Sequence, residues 1–367
     1  MVDALKSIDK KYLMIIGGIF GILLLVIIVL ASMKGCSGPS KNYQSAESKM
    51  VKAAKEYFKE KGLPENGKSK EVSVTELSGS GKMKKLDKIL SDKTCDGKVT
   101  IYNNNDNYLV VPHLECSEYK TKHLKDKIIE DSEITNPEDP YKSGLYKMDD
   151  KYVFRGKNPN NYVSFGGLIW RIIDIDKDGT IRVIKVEPEK NKSVWDNKYN
   201  VEVNKNYGIN DYKNSVLLER LNSEYSKFKK ESKKHLSSFN VCIGKRNPTD
   251  IGIDYNIDCS EILENQYISV INVSDYSRPS LDEHCDSIVA GACTNYNYML
   301  YVTGNTWTVS TKKDSTYNAI MITGGVGASD TAKTSSSYNW VVAFTGDELY
   351  TQGDGSANNP YLISNEK

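Results

Sequence analysis

The chain has 367 residues, 39% of them hydrophobic and 26% charged, with 49 Lys and Arg against 48 Asp and Glu. This length predicts two or three domains of about 100–200 residues each. The balanced charge argues against a chain-wide basic surface, so nucleic acid is not an expected partner. The sequence shows no convergent set of acids, bases, nucleophiles or metal ligands, so we predict no catalytic residues, no metal and no cofactor.

One segment, 12–33, contains no charged side chain over 22 residues. As a helix rising about 1.5 Å per residue it would reach roughly 33 Å, enough for a hydrocarbon core of about 30 Å. We therefore predict a single transmembrane helix in the cell membrane, with a cytosolic tail over 1–11 and the residues from 34 to 367 outside. Two alternatives remain open, a cleaved signal peptide and a lipoprotein signal ending at Cys36.

Six of the seven cysteines lie well beyond this segment, and none of them forms a CxxC pair. An even number of separated cysteines after an export signal is typical of disulfides in an oxidising compartment. Buried free thiols are the alternative. Proximity in the sequence favours three local pairs, namely Cys95–Cys116, Cys242–Cys259 and Cys285–Cys293.

A small α+β domain is predicted over 43–124, after a linker with Gly and Pro over 34–42. Apolar residues recur at helical spacing over 46–57, and Gly62 is expected to end this helix. Two strands follow, over 98–102 and 108–112, joined by a turn at 103–107. A Cys95–Cys116 bond would staple the outer ends of that hairpin.

A charged segment, 125–140, is predicted as an inter-domain linker, and 141–367 as a larger mixed α/β domain. Apolar residues at a spacing of 3.6 predict a helix within 211–236. The run Lys227–His235 holds five lysines and is interpreted as the solvated face of that helix. Contact with anionic lipid or a wall polymer is the alternative. Short strands are predicted over 152–154, 163–165, 168–175, 180–186, 299–303, 307–310, 319–323 and 340–344.

The stretch from Asp174 to Gly179 resembles the start of a calcium-binding loop. An EF-hand loop beginning at Asp174 needs a bidentate Glu at its twelfth position, which is Lys185 here. The flanking residues are also typical of strands. We therefore interpret Asp178-Gly179 as a hairpin turn.

From Tyr146 onward, several motifs together resemble a known family. The matching segments are Phe154-Arg155-Gly156, YVSFGGLIWRII at 162–173, DGTIR at 178–182, INVSDY at 271–276, Trp307-Thr308 and the closing residues from Gly353 to Tyr361. Over about 220 residues the chain resembles largely uncharacterised, membrane-anchored surface proteins of low-GC Gram-positive bacteria. The resemblance implies a C-type-lectin-like domain, a fold shared with formylglycine-generating enzymes. Those enzymes use a late cysteine pair, and no cysteine lies beyond Cys293 here.

The anchor and the small domain weakly resemble pilin-like proteins, although no Gly in the anchor is followed five residues later by Glu. The sequence therefore predicts an extracellular, non-catalytic binding or adhesion module for a glycan or a surface protein. A pilin-like structural subunit and a C-type-lectin-fold enzyme remain as alternatives.

In C-type-lectin-like domains, loops near the C-terminal part of the fold usually carry the ligand. The polar stretches 311–317 and 324–337 are therefore predicted as surface loops, and Trp307 as a core residue. Aromatic rings beside amides suit sugar or protein surfaces. The predicted ligand contacts are Tyr317, Asn318, Tyr338, Asn339 and Trp340. The alternative for Trp340 is that it starts a strand and packs inward.

Overall fold

A computed structural model describes residues 40–289 and 291–363 of the chain. The predicted cytosolic tail, the predicted transmembrane helix over 12–33 and Cys36 lie outside the described residues. Among the residues that the structure describes, no helix is long and apolar enough to cross a membrane. Helices combine with several sheets and with all three predicted disulfides, which confirms the α+β class and the cysteine pairing.

The chain forms two compact units, which are described separately. Unit 1 holds the described residues up to 60 together with 72–99 and 112–120. Unit 2 holds 61–71, 100–111 and the described residues from 121 onward. These stretches alternate along the chain, so the two units do not correspond to single continuous ranges. The predicted domain boundaries therefore stay predictions.

Unit 1 is built on a long helix, α1 (Ser40–Lys61). Ala46, Met50 and Ala54 are fully buried along one face, as the helical spacing predicted. Gly62 follows directly with a φ of +95°, a left-handed conformation that glycine adopts readily and that commonly ends helices.

The predicted hairpin belongs to a three-stranded sheet. The elements in this part of the chain are β1 (Ser69–Ser73), α2 (Val74–Gly79), a 3₁₀ turn (Leu86–Lys88), β2 (Asp96–Asn104) and β3 (Asn107–Glu115), and the sheet order is β1–β2–β3. The turn between β2 and β3 needs only Asn105 and Asp106, with φ of 54° and 59°. Asn and Asp tolerate this left-handed backbone, so the turn is tighter and the strands are longer than predicted.

Unit 2 contains most of the strands. In chain order they are β4 (Gly144–Met148), β5 (Lys151–Arg155), β6 (Tyr162–Phe165), β7 (Leu168–Ile175), β8 (Ile181–Lys185), β9 (Ser193–Val194), β10 (Leu236–Ser237), β11 (Phe239–Cys242), β12 (Lys245–Arg246), β13 (Ile262–Gln266), β14 (Thr306–Lys312), β15 (Asn318–Thr323), β16 (Val326–Thr331), β17 (Ser335–Ser336), β18 (Val341–Phe344) and β19 (Tyr361–Leu362). The helices are α3 (Leu124–Ser132), α4 (Val216–Ser226), α5 (Lys230–Lys233), α6 (Tyr255–Asp258), α7 (Val273–Ser277) and α8 (Leu300–Thr303), with 3₁₀ turns at Tyr212–Asn214 and Gly291–Thr294.

Eight of these strands form the main sheet of unit 2. Six follow the order β10–β18–β8–β7–β5–β4, and every neighbouring pair is antiparallel. Strand β6 pairs with β7, and the short β19 lies parallel to β6. A four-stranded sheet, β12–β14–β15–β16, and two ribbons, β11–β13 and β9–β17, accompany the main sheet.

Three tryptophans are fully buried in unit 2, including Trp307, which was predicted as core. Each indole N–H donates to a backbone carbonyl, as buried tryptophans usually do. The donor and acceptor pairs are Trp170 to Phe165 (3.0 Å), Trp195 to Thr308 (2.9 Å) and Trp307 to Ser193 (3.1 Å).

The segment predicted as a linker, 125–140, begins inside helix α3. Leu124 and Ile128, one helical turn apart, are buried in the core of unit 2. Two apolar side chains are enough to dock one face of a short helix. The surrounding charged residues concealed this pattern at the level of composition.

The helix predicted over 211–236 is interrupted in the structure. Helix α4 ends at Ser226, α5 begins at Lys230, and the chain then enters β10. In the connection between the two helices, the ring of Phe228 packs against the core. The lysines from 227 onward are therefore divided between this connection and a short helix, instead of forming one solvated helical face.

Two predictions near the C-terminal part are wrong. The segment 299–303 holds the short helix α8 instead of a strand. The stretch 324–337, predicted as a loop, contains strand β16, which forms a hairpin with β15 through Gly324 and Gly325. Because β16 lies at the edge of its sheet, its polar sequence is compatible with a strand.

Candidate functional site

An open cleft of about 510 Å³ lies on unit 2 and is our candidate ligand site. This size is within the range of ordinary small-molecule and sugar sites. Four separate stretches of chain contribute to its lining. The lining residues are Ser164, Phe165, Gly166, Gly167, Glu224, Lys227, Phe228, Lys229, Ser232, Trp340, Leu362 and Ile363.

Three aromatic side chains meet in the apolar part of this cleft. The ring centroid of Phe228 lies 6.1 Å from that of Phe165, roughly stacked, and 6.1 Å from that of Trp340, edge to face. These separations are typical of favourable aromatic pairs. Phe165 and Trp340 are buried, whereas Phe228 is half-buried. The rings of the cleft thus support one another from different strands and loops.

Trp340 differs from the three tryptophans of the core. It retains 9% of its surface exposure, and its indole N–H has no hydrogen-bond acceptor among the described residues. The Lys185 ammonium lies 4.4 Å from the centroid of its ring, within the range of a cation–π contact. Lys185 also pairs with Glu189, which holds this cation in place.

A tight turn forms one rim of the cleft. Gly166 and Gly167 connect β6 to β7 with φ of 61° and 72°, the pattern of a two-residue hairpin turn that requires glycine or a similarly permissive residue. A Cβ on Gly167 would meet nothing within 4 Å, so this part of the rim is open. A Cβ on Gly166 would lie 3.5 Å from the ring of Phe228, so the turn lies beside the aromatic rings.

Another part of the lining carries charge. Glu224, near the end of α4, accepts a hydrogen bond from the ammonium of Lys227 at 2.7 Å. Lys229, two residues further on, is exposed, and no described carboxylate pairs with it. The cleft therefore combines an aromatic floor, an open glycine turn and a cationic edge.

Only one of the five predicted contact residues, Trp340, lines this cleft. Tyr338 is buried, and its hydroxyl accepts a hydrogen bond from Arg220 at 2.7 Å. Asn339 is buried too and donates to the carbonyls of Lys185 and Val302. The expectation that Tyr338 and Asn339 present their side chains on a surface is therefore wrong, because both side chains are buried in the segment just before β18.

Tyr317 and Asn318 lie elsewhere, at the start of β15. Tyr317 is half-buried, with its ring centroid 5.1 Å from that of Tyr207. The backbone carbonyl of Asn318 accepts from Asn210. Neither residue lines the cleft, and a binding role for the two stays a prediction.

Sequence reasoning missed Phe165 and Phe228. A Gly-Gly pair after Phe165, between two alternating runs, is a hairpin signal that places this ring beside a turn. Phe228 stands alone between two lysines. An aromatic residue within a lysine run is a sign that the run is not one uniform solvated face.

A second cleft of about 300 Å³ on unit 2 has a polar lining. Tyr102 donates a hydrogen bond to Asp347 here, and burial together with this carboxylate raises the pKa of the tyrosine. Lys68 and Lys125 face the cleft along with Asp178. This polar lining with both signs of charge indicates no particular ligand, so we do not treat the second cleft as the candidate site.

Among the described residues, one group of three side chains has metal-ligand spacing, Asp92 with Cys95 and Cys116. Both sulfurs belong to a disulfide, so they are not thiolate ligands. This group therefore offers only one carboxylate to a cation.

Comparison with protein-family models, with curated proteins and with solved structures finds no match for this chain. A function for this chain is therefore inferred from its own sequence and from the geometry of the cleft.

Proposed function

We propose that this protein is a membrane-anchored, extracellular, non-catalytic binding module that holds a glycan in the aromatic cleft. The observation that carries the proposal is the meeting of Phe165, Phe228 and Trp340 in an open cleft. The apolar faces of sugar rings pack on aromatic side chains, and hydroxyl groups find partners on a polar rim. The proposal keeps the C-type-lectin-like character that the sequence resemblance implies for 141–367.

The chemistry of the lining supports binding over catalysis. Among the described lining residues there is one carboxylate, Glu224, and it is paired with Lys227. Glycoside hydrolysis, for comparison, uses a pair of carboxyl groups on either side of the scissile bond. Neither His nor Cys is among the lining residues that the structure describes.

The location of the protein is part of the same proposal. Three disulfides support export, because disulfides persist in oxidising compartments and are rare in the cytosol. The uncharged segment 12–33 supports a membrane anchor by its length. In this arrangement both described units face the outside of the cell.

The test is a glycan array probed with the full chain in detergent micelles, followed by calorimetry with the best ligand. Phe228→Ala should weaken binding by about tenfold or more, since a central aromatic contact contributes upward of about 1.4 kcal/mol. Phe228→Leu keeps most of the volume and removes only the ring, so it serves if the alanine variant does not fold. It should also weaken binding.

The matched control is Tyr301→Ala, because Tyr301 is 64% exposed and does not line the cleft. It should bind like the unmodified protein. Unchanged affinity of a folded Phe228→Leu variant would contradict the site. Binding to a surface protein, with no binding to any glycan, would overturn the glycan assignment.

A further inference from the structure

Charge as well as shape distinguishes the lysine-rich segment beside the cleft. Residues 224–234 contain five lysines and two glutamates, a formal excess of three positive charges. Both glutamates are already paired, Glu224 with Lys227 at 2.7 Å and Glu231 with Lys234 at 2.8 Å. The excess charge therefore resides on the remaining lysines.

These remaining lysines differ in position. The ammonium of Lys233 donates to the carbonyl of Ser226 at 2.9 Å and lies 5.1 Å from the ring centroid of Tyr225, so it is turned back onto α4. Lys229 and Lys230 are exposed, and no described carboxylate pairs with either of them. Of these two, only Lys229 lines the cleft. Among the described residues, Lys229 is thus a cation in the lining of the aromatic cleft without a carboxylate partner.

We propose that the cleft selects an acidic polysaccharide, with the ring of a uronic acid over Phe228 and Trp340 and its carboxylate at Lys229. This inference rests on the proposed function and specifies its ligand class. A hydrogen bond between ammonium and carboxylate is roughly twice as strong as one between neutral groups. It would be strengthened further at the edge of an apolar surface, where water is partly excluded.

The same cleft fits a sugar better than a lipid. An acyl chain needs only apolar walls, whereas the Gly166-Gly167 turn and the hydroxyl of Ser164 present polar groups beside the rings. A pyranose ring has an apolar face for the aromatic floor and hydroxyl groups for this rim. The ammonium of Lys229 would then favour acidic over neutral sugars, because it can pair with a carboxylate.

The test uses the full chain in detergent micelles and tetramers of glucuronate, galacturonate and mannuronate, each beside its methyl ester. The ester keeps the ring and removes the charge. At least one uronate should bind about tenfold more tightly than its ester at low salt, and this ratio should shrink as salt is added. Lys229→Gln should bring the ratio close to one without changing the melting temperature.

Lys234→Gln is the matched control, because Lys234 is paired with Glu231 and does not line the cleft. It should preserve the ratio. If acids and esters bind equally and Phe228→Leu weakens both, the proposed function stands and the acidic preference is overturned. If no glycan binds at all, both fail. Binding to vesicles with anionic lipid that depends on Lys229, without binding to uronates, would overturn the sugar assignment.

Discussion

Asp174 and Arg182 form a buried ion pair in unit 2. The guanidinium of Arg182 donates to both oxygens of Asp174, at 2.8 and 2.6 Å, and also to Asp275 at 2.6 Å. Lys151 adds a contact to Asp174 at 3.3 Å. Two cations and two carboxylates thus balance inside the fold. The hairpin turn predicted at Asp178-Gly179 is confirmed, and it brings Arg182 back alongside Asp174.

Burial by itself would raise the pKa of Asp174, but the charges of Arg182 and Lys151 lower that pKa to about 2. The ordinary value is 3.8, so the carboxylate contributes stability above about pH 4 and loses this contribution as the pH falls through about 2. The cluster therefore makes the fold more stable at neutral pH than in acid.

Asp174→Asn should lower the free energy of unfolding by about 3–5 kcal/mol at pH 7, since it leaves buried cations without compensation. The difference from the unmodified protein should shrink between pH 4 and pH 2, where the native carboxylate itself becomes protonated. Denaturant titrations at pH 7, 4 and 2.5 measure this. Asp150→Asn removes an exposed pair with Lys177 and should cost no more than about 1 kcal/mol. A difference that is independent of pH would contradict the assignment.

At the scale of elements, the hairpin of β2 and β3 is held at its outer ends by a covalent bond. Cys95 directly precedes β2 and Cys116 directly follows β3. The two cysteines are 21 positions apart, and closing a loop of this length restricts the unfolded chain. The local pairing predicted from sequence is explained by this arrangement, because antiparallel strands joined by a tight turn bring their far ends together.

Replacing both Cys95 and Cys116 with Ala should lower the free energy of unfolding by about 3 kcal/mol, chiefly through the entropy of the unfolded chain. Urea denaturation of the full chain under non-reducing conditions measures the change. Cys36→Ala leaves all three disulfides intact and should unfold like the unmodified protein. An unchanged urea midpoint for the double variant would show that the bond does not stabilise the hairpin.

At the scale of the whole molecule, six of the seven cysteines are paired in the structure. The seventh, Cys36, lies outside the described residues, and we expect it to carry a free thiol. If the protein is exported as proposed, the three disulfides should already be present in protein isolated from cells.

Alkylation during lysis in denaturant, before any reduction, should therefore add one label to the protein, and alkylation after reduction should add seven. Intact mass measurement distinguishes the two. The reduced sample is the control for access of the reagent. Seven labels without reduction would contradict export, and an intermediate number would show that a disulfide is not formed in the cell.

Much of the strand pattern and the cysteine pairing followed from the sequence alone. Strands β6, β7 and β8 were predicted nearly to the residue, because alternating or β-branched runs between turn residues are local signals. Trp307 as core is a similar case. Such features depend mainly on residues a few positions away, so a short stretch of sequence is enough to predict them.

The candidate site depended on the tertiary structure. Phe165, Phe228 and Trp340 are far apart in the sequence, and only packing brings their rings together. An apolar period of 3.6 cannot show where a helix breaks, so the turn at Phe228 and the position of Lys229 stayed hidden. Conversely, the polar partners that bury Tyr338 and Asn339 come from distant segments. Sequence determined which residues favour a strand, a turn or a disulfide, whereas the fold decided which of them face a ligand, because exposure is set by non-local contacts.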